Sequence, residues 1–264
     1  MRHSTGIRPP EPPLVPLMEH HALRFFAGLM IAVCAVLVSA GAMVSRAYDR
    51  EPPRIAHYIS EYARVGFILD RSGELAKLKF DGSEEILVLR WQPAAGGDRL
   101  LVRDDNEIVL RISGLGGITL FTADNPRGIP VAPNAPAQPL IPVPPSIALV
   151  RDIAGRIMMQ LRAETGTEIL FEANWNAVAG DPGARGILFD AIRNAGTALF
   201  DVVRSGPGRT GVTAYLKRVR FVQARIPAIS MQGDMLIVQF SVEQGLAGRP
   251  SSHAILRQLR QVFR

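Results

Sequence analysis

Residues Ala76–Trp91 read AKLKFDGSEEILVLRW. Ala76, Leu78 and Phe80 alternate with Lys77 and Lys79, Asp81-Gly82 supplies a turn, and Ile86 to Trp91 resumes an apolar run. Alternation with period two gives one face to a core and the other to water, the pattern of an antiparallel sheet. The same pattern extends in both directions, from Val65 to Phe121. LLVR (100–103) leads into the polar turn Asp104-Asp105-Asn106-Glu107, IVLRI (108–112) into the glycine-rich SGLGG (113–117), and ITLF (118–121) follows. About six short strands in this span predict a β-rich module over 65–124, a meander closing as a small barrel or a sandwich.

Beyond the meander, residues 126–145 (PRGIPVAPNAPAQPLIPVPP) hold eight prolines. Proline lacks an amide donor and favours extended polyproline geometry, so 125–146 is expected to be a semi-rigid linker and a domain boundary.

The period then changes. Val150, Ile153, Ile157, Met158 and Leu161 lie on one helical face, with Gly166 as the stop. EILFEAN (168–174) reads as a strand. Asp181-Pro182 is an N-cap and first-turn pair opening a helix with Leu188, Ile192, Ala195, Leu199 and Val202 on its apolar face, weakened by Gly186 and Gly196. RVRFVQAR (218–225) and MLIVQFSV (235–242) are strand-like and are expected to pair as a hairpin across IPAISMQGD. Pro250 with Ser251 or Ser252 starts a closing helix whose face is Ile255, Leu259, Val262 and Phe263. The 147–264 module is therefore mixed α/β, and the whole chain is α+β.

Before the meander, FFAGLMIAVCAVLVSAGAMV (25–44) contains no charge. Twenty residues at about 1.5 Å each match the roughly 30 Å hydrocarbon core, the length of a transmembrane helix. The run also reads as a signal segment, Phe25 to Val38 forming the apolar region with cuts after Ala42 or Ala47. The 1–24 tail carries the proline cluster RPPEPPLVP, which favours retention, although Met18 is an alternative start. Residues 45–64 are a juxtamembrane segment. Arg8 and Arg24 precede the run and Arg46, Arg50, Arg54 and Arg64 follow it, a count that taken literally keeps the body inside. Interleaved Asp49, Glu51 and Glu61 dilute that signal. The expected arrangement is a single inner-membrane span with a periplasmic body, or a periplasmic protein after cleavage.

The net charge is +6, too mild to specify nucleic acid, lipid or an acidic polymer. The single cysteine, Cys34, lies inside the apolar run, so the rest of the chain has no disulfide, thiolate metal site or cysteine nucleophile. Beyond the run only His57 and His253 could serve a serine nucleophile, and no GxSxG elbow is present. GPGRTG (206–211) lacks the lysine ending of a phosphate loop and is expected to be an exposed loop. DDNE reads as a solvated hairpin turn rather than a calcium site. No cofactor or metal is expected.

One basic surface and one acidic group remain as candidates. Lys217, Arg218, Arg220 and Arg225, with Arg257, Arg260 and Arg264 on the last helix, would make a basic surface if they lay side by side. Few aromatic residues accompany them, which argues against nucleic acid. Glu168, Glu172, Asp181 and Asp190 are close in sequence, and paired carboxylates in a cleft are what glycan-cleaving sites require.

The stretches FILDRSGELAKLKFDGSEE (67–85), SGLGGITLF (113–121) and QGDMLIVQFSVEQGLAGRPSSHAI (232–255) resemble the bacterial family of domain of unknown function 4908. The resemblance implies an envelope-type protein and supplies no catalytic residues. Within it Gly248, Arg249, Pro250, Ser251 and Ser252 stand out as a turn and N-cap. LRAETGTEILFE (161–172) and LFDAIRNAGTALFDVV (188–203) also resemble the small α/β module of secretins and outer-membrane receptors, in the order helix, strand, helix, strand. The reading that follows is an envelope protein with a binding or scaffold role, for which an envelope protein or polymer is the partner. A hydrolase, or a regulator laying its basic C-terminal helix on lipid, is the alternative.

Overall fold

A computed structural model describes residues 51–263, as one barrel and one α/β layer pair. The transmembrane or signal reading of 25–44 and the site candidate Arg264 lie outside the described residues. No helix among the described residues is long and apolar enough to cross a membrane.

The alternation around Ala76–Trp91 becomes a closed eight-stranded antiparallel barrel in which each strand pairs with the next. Its strands are β1 (Ile55–Ser60), β2 (Val65–Asp70), β3 (Ala76–Phe80), β4 (Leu87–Pro93), β5 (Arg99–Val102), β6 (Ile108–Ile112), β7 (Ile118–Leu120) and β8 (Ile129–Pro136). Tyr58, Phe67, Leu69, Leu78, Leu89, Leu110 and Leu120 are buried in its core, and Tyr58 stacks on Phe67 at 5.6 Å between ring centres. Eight strands enclose just enough room for such side chains, so the interior is a core and not a channel.

Closure depends on two segments that the sequence assigned elsewhere. Ile55–Ser60, expected to be juxtamembrane, is β1, with Ala56 and Tyr58 facing inward. Ile129–Pro136, expected to belong to the linker, is β8. Its prolines are tolerated because Ile129–Val131 pairs with β7 while Ala132–Pro136 pairs with β1. Each half therefore has one ladder partner, and a missing donor can face the open side. The linker proper shrinks to about ten residues, 137–146, hereafter the strap.

The strap is tied where it leaves the barrel. Asp70, fully buried at the end of β2, accepts hydrogen bonds from the Ser72 amide (3.0 Å), the Ser72 hydroxyl (2.6 Å) and the Leu140 amide (2.9 Å), and pairs with Lys77 Nζ at 2.9 Å. Lys77 Nζ also donates to the Leu140 carbonyl at 2.8 Å. Burial alone would raise the Asp70 carboxyl, but these donors outweigh it and hold the pKa at about 2. An unfolded aspartate titrates near 3.9, so the folded value is the lower one. Asp70 therefore stabilises the fold above about pH 4, and that contribution is lost as the pH falls toward 2, on the order of 2 kcal/mol. Denaturant melts at pH 5 and pH 2.5 should show that Asp70→Asn is the less stable protein at pH 5. They should also show that the variant loses less stability than the parent between the two pH values.

The second part begins with α1 (Ile147–Thr165), capped by Ser146 and stopped by Gly166 in the left-handed region. There follow β9 (Leu170–Ala173), α2 (Trp175–Ala179), α3 (Pro182–Val203), α4 (Gly206–Tyr215), β10 (Arg218–Gln223), β11 (Ala228–Gln232), β12 (Met235–Phe240) and α5 (Ser252–Val262). The sheet order is β11-β12-β10-β9. β10 and β12 run parallel rather than as the expected hairpin, because Ala228–Gln232 inside the supposed connection is itself a strand and pairs antiparallel with β12. GPGRTG is not a loop either. Ser205 caps it and Pro207 occupies its first turn, so it opens α4. Gly196, which weakens α3 intrinsically, lets the helices approach: a Cβ there would press on the Ile157 side chain of α1.

Candidate functional site

Two places concentrate polar side chains that the fold itself positions. The first is the junction of barrel and α/β module, built on Gly248 to Ser252. Ser251 is the N-cap of α5, its hydroxyl accepting from the Ala254 amide at 3.1 Å. The two serines also meet carboxylates that arrive from the barrel. Asp104, in the β5–β6 turn, accepts from the Ser251 amide (2.7 Å) and hydroxyl (2.6 Å). Glu85, in the β3–β4 turn, accepts from the Ser252 amide (2.9 Å) and hydroxyl (2.5 Å). Amides at a helix N-terminus are unsatisfied and partly positive, so carboxylates are the groups they favour.

Arg249 completes this clasp. Its side chain is 3% exposed, its Nε pairs with Asp190 at 2.9 Å, and its two terminal nitrogens donate to the carbonyls of Leu246 (2.6 Å) and Ile86 (2.8 Å). Asn194 Nδ2 of α3 donates to the Pro250 carbonyl at 2.9 Å. Gly248 lies against the backbone of Ser241, whose amide donates to the Gly248 carbonyl at 2.6 Å. The turn that sequence marked is thus an N-cap, as expected, and also the seam between the two modules.

DDNE is correspondingly more than a solvated turn. Asp104 belongs to the clasp, and Asp105 is buried under the fork of Arg103 at 2.9 and 2.6 Å. Burial pushes the Asp105 carboxyl up, but the guanidinium outweighs this and holds it below the usual carboxylate range.

The second place is a cleft of about 510 Å³ at the carboxyl ends of the parallel strands β9, β10 and β12. Glu172 and Arg220 line it as an ion pair, with Arg220 Nε at 2.9 Å and Nη2 at 2.8 Å from the same oxygen, Glu172 Oε2. Asn174 and Gln223 stand beside them with Ala173, Ala177 and Val222 as the accessible apolar lining, and the buried Val178, Phe221 and Phe240 lie behind.

The expected basic surface does not form as one patch. Val219 and Phe221 pack into the core shared with the helices, so Arg218 and Arg220 point to the opposite, open face of the sheet, while α5 packs on the helical side through Ile255 and Leu259. Arg218 pairs with Asp234 at 2.8 Å and Arg220 with Glu172, which removes their free charge. Arg257 donates to the Asp105 carbonyl, holding α5 to the barrel turn, and Lys217 and Arg225 flank β10. Arg260 lies in the last turn of α5, a favourable position for a cation.

The four acids of the hydrolase alternative are likewise divided. Asp181 caps α3 by accepting from the Gly183 and Ala184 amides, Glu172 is held by Arg220, Asp190 is held by Arg249, and Glu168 precedes β9. Asp181 and Asp190 are thus committed to separate structural tasks, and the four do not gather in one cleft. His57 pairs with Asp81 at 2.9 Å and His253 sits in the first turn of α5, so among the described residues neither faces a serine as a triad would require. The described residues contain no group of three or more His, Cys, Asp or Glu side chains placed to hold a metal.

Fold and clasp define a two-part protein, a filled antiparallel barrel locked onto a one-faced α/β layer. The profile of Domain of unknown function (DUF4908) matches residues 38–259, and the chain belongs to that family. The match takes in every strand of the barrel and the whole clasp. No curated protein and no solved structure matches the chain.

Proposed function

We propose that this chain is a cell-envelope protein that holds its barrel and α/β module outside the cytoplasm and binds an envelope protein or polymer there, without chemistry of its own. The observation that carries the location is the uncharged run Phe25–Val44, long enough to span a bilayer and followed by a large folded body. Binding rather than catalysis is supported by the way the acids are used. Glu85, Asp104, Asp181 and Asp190 cap helices or hold Arg249, and the open cleft offers a neutral Glu–Arg pair flanked by Asn174, Gln223 and small apolar side chains. Such a surface recognises a ligand by hydrogen bonds and shape.

Intact mass and fractionation of a C-terminally tagged protein from a bacterial host test the location. A chain shortened by 42 or 47 residues in the periplasmic fraction, or an uncut chain from Met1 or Met18 in the membrane fraction with its body open to external protease, is the expected result. An uncut chain in the soluble cytoplasmic fraction overturns it.

A further inference from the structure

We propose that the cleft at the carboxyl ends of β9, β10 and β12 binds a neutral saccharide unit through the Glu172–Arg220 pair. This rests on the binding role given above and names the ligand class for it. The cleft's volume of about 510 Å³ falls within the range of roughly 300–1,000 Å³ typical of small-molecule sites. It opens where three parallel strands end, the place at which α/β sheets present ligand-binding groups.

The pair's geometry selects the ligand. Both Arg220 contacts fall on one oxygen, Glu172 Oε2, so Glu172 Oε1 and Arg220 Nη1 have no hydrogen-bond partner among the described residues. One is an acceptor and the other a donor, side by side. A hydroxyl is both donor and acceptor, so two adjacent hydroxyls of a sugar ring can give one hydrogen bond to Oε1 and take one from Nη1 without disturbing the ion pair. Because the two charges cancel, the site gives no advantage to a ligand of net charge.

The surroundings extend the match. Asn174 Oδ1 is fixed by the Ala177 amide at 3.2 Å, which leaves its Nδ2 as an oriented donor. Gln223, at the end of β10, adds an exposed amide with one donor group and one acceptor. Beside them Ala173, Ala177 and Val222 supply apolar lining against which the C–H groups of a sugar ring can rest. A free amino acid would use the same two charges differently, breaking the Glu172–Arg220 pair to place its carboxylate and ammonium.

The test is a calorimetric titration of the full chain, in detergent if it stays anchored, with maltotriose, cellotriose and chitotriose, and separately with alanine and dialanine. At least one trisaccharide should bind one to one, with Kd below about 1 mM. Glu172→Gln and Arg220→Gln should each weaken that binding at least about tenfold, with unchanged circular dichroism. If Arg220→Gln does not fold, Glu172→Gln and Gln223→Ala carry the comparison. No binding of any trisaccharide, binding indifferent to the substitutions, or binding of alanine or dialanine alone overturns the proposal. The location assay is independent of this titration. An exported protein that ignores sugars loses only the ligand class, and a cytoplasmic one that binds them loses only the envelope role.

Discussion

Replacing Arg249 by alanine should lower the unfolding free energy by about 3–5 kcal/mol, the loss expected when one member of a buried, hydrogen-bonded ion pair is removed. The size follows from what is left behind. Asp190 would keep a charge that is only 19% exposed, and the carbonyls of Leu246 and Ile86 would lose their donor inside the seam. Each buried polar group stranded in this way costs about 1–3 kcal/mol. Urea unfolding of Arg249→Ala, Asp190→Ala and the double variant separates the pair from its surroundings. The double variant should be less destabilised than the sum of the singles, because the second change removes the charge that the first one stranded. A loss under about 1 kcal/mol for Arg249→Ala would mean that the seam carries no more weight than an exposed ion pair.

Gly248→Ala should be nearly as damaging, by at least about 2–3 kcal/mol, for a steric reason rather than a conformational one. The backbone of Gly248 is not in the left-handed region, but a Cβ there would overlap the carbonyl oxygen of Ser241, and the obstacle is backbone that cannot rotate away. Relief requires the Ser241–Gly248 contact to open, and with it the turn that presents Arg249 and Ser251. The control is Gly155→Ala. Gly155 is inside α1 with open space where a Cβ would go, so alanine there should stabilise by about 0.5–1 kcal/mol. Thermal unfolding of the two variants should therefore move in opposite directions.

Much of the barrel was legible because strands such as β3, β4 and β7 show the alternation seen in AKLKF, and alternation depends only on residues that are neighbours in sequence. β8 was hidden by its prolines, which argue for a linker until pairing shows that each half of the strand needs only one ladder. β1 was absorbed into the segment after the apolar run, although Ala56, Tyr58 and Ser60 do alternate inward. In the second module Asp181-Pro182 and Pro250 with Ser251 or Ser252 mark two helix starts, while sequence reading misses the cap at Ser146 and reads the start of α4 as a glycine-rich loop. The clasp could be read only in part. Ser251 announced an N-cap, but Asp104 and Glu85 come from 147 and 167 residues away, and no local pattern encodes a partner at that distance.

The strap gives the clasp a consequence that its hydrogen bonds alone would not have. An even number of antiparallel strands returns the chain to the end of the barrel where it entered, while Glu85 and Asp104 sit in turns at the other end. Leu140 is held at Asp70, so residues 141–146 remain, and in extended polyproline geometry they reach about 19 Å, comparable to a six-residue strand of about 20 Å. The strap can therefore climb the barrel to the start of α1; α3 packs on α1 and α5 on α3, which sets α5 at the carboxylates. A tether of this length holds the two surfaces at an effective concentration on the order of millimolar, so contacts too weak to join separate molecules at micromolar dilution still keep the modules closed. Affinity that two free partners would have to build into a large interface is supplied here by the covalent chain, so a seam built on Arg249, Arg257, Ser251, Ser252, Glu85 and Asp104 can remain small.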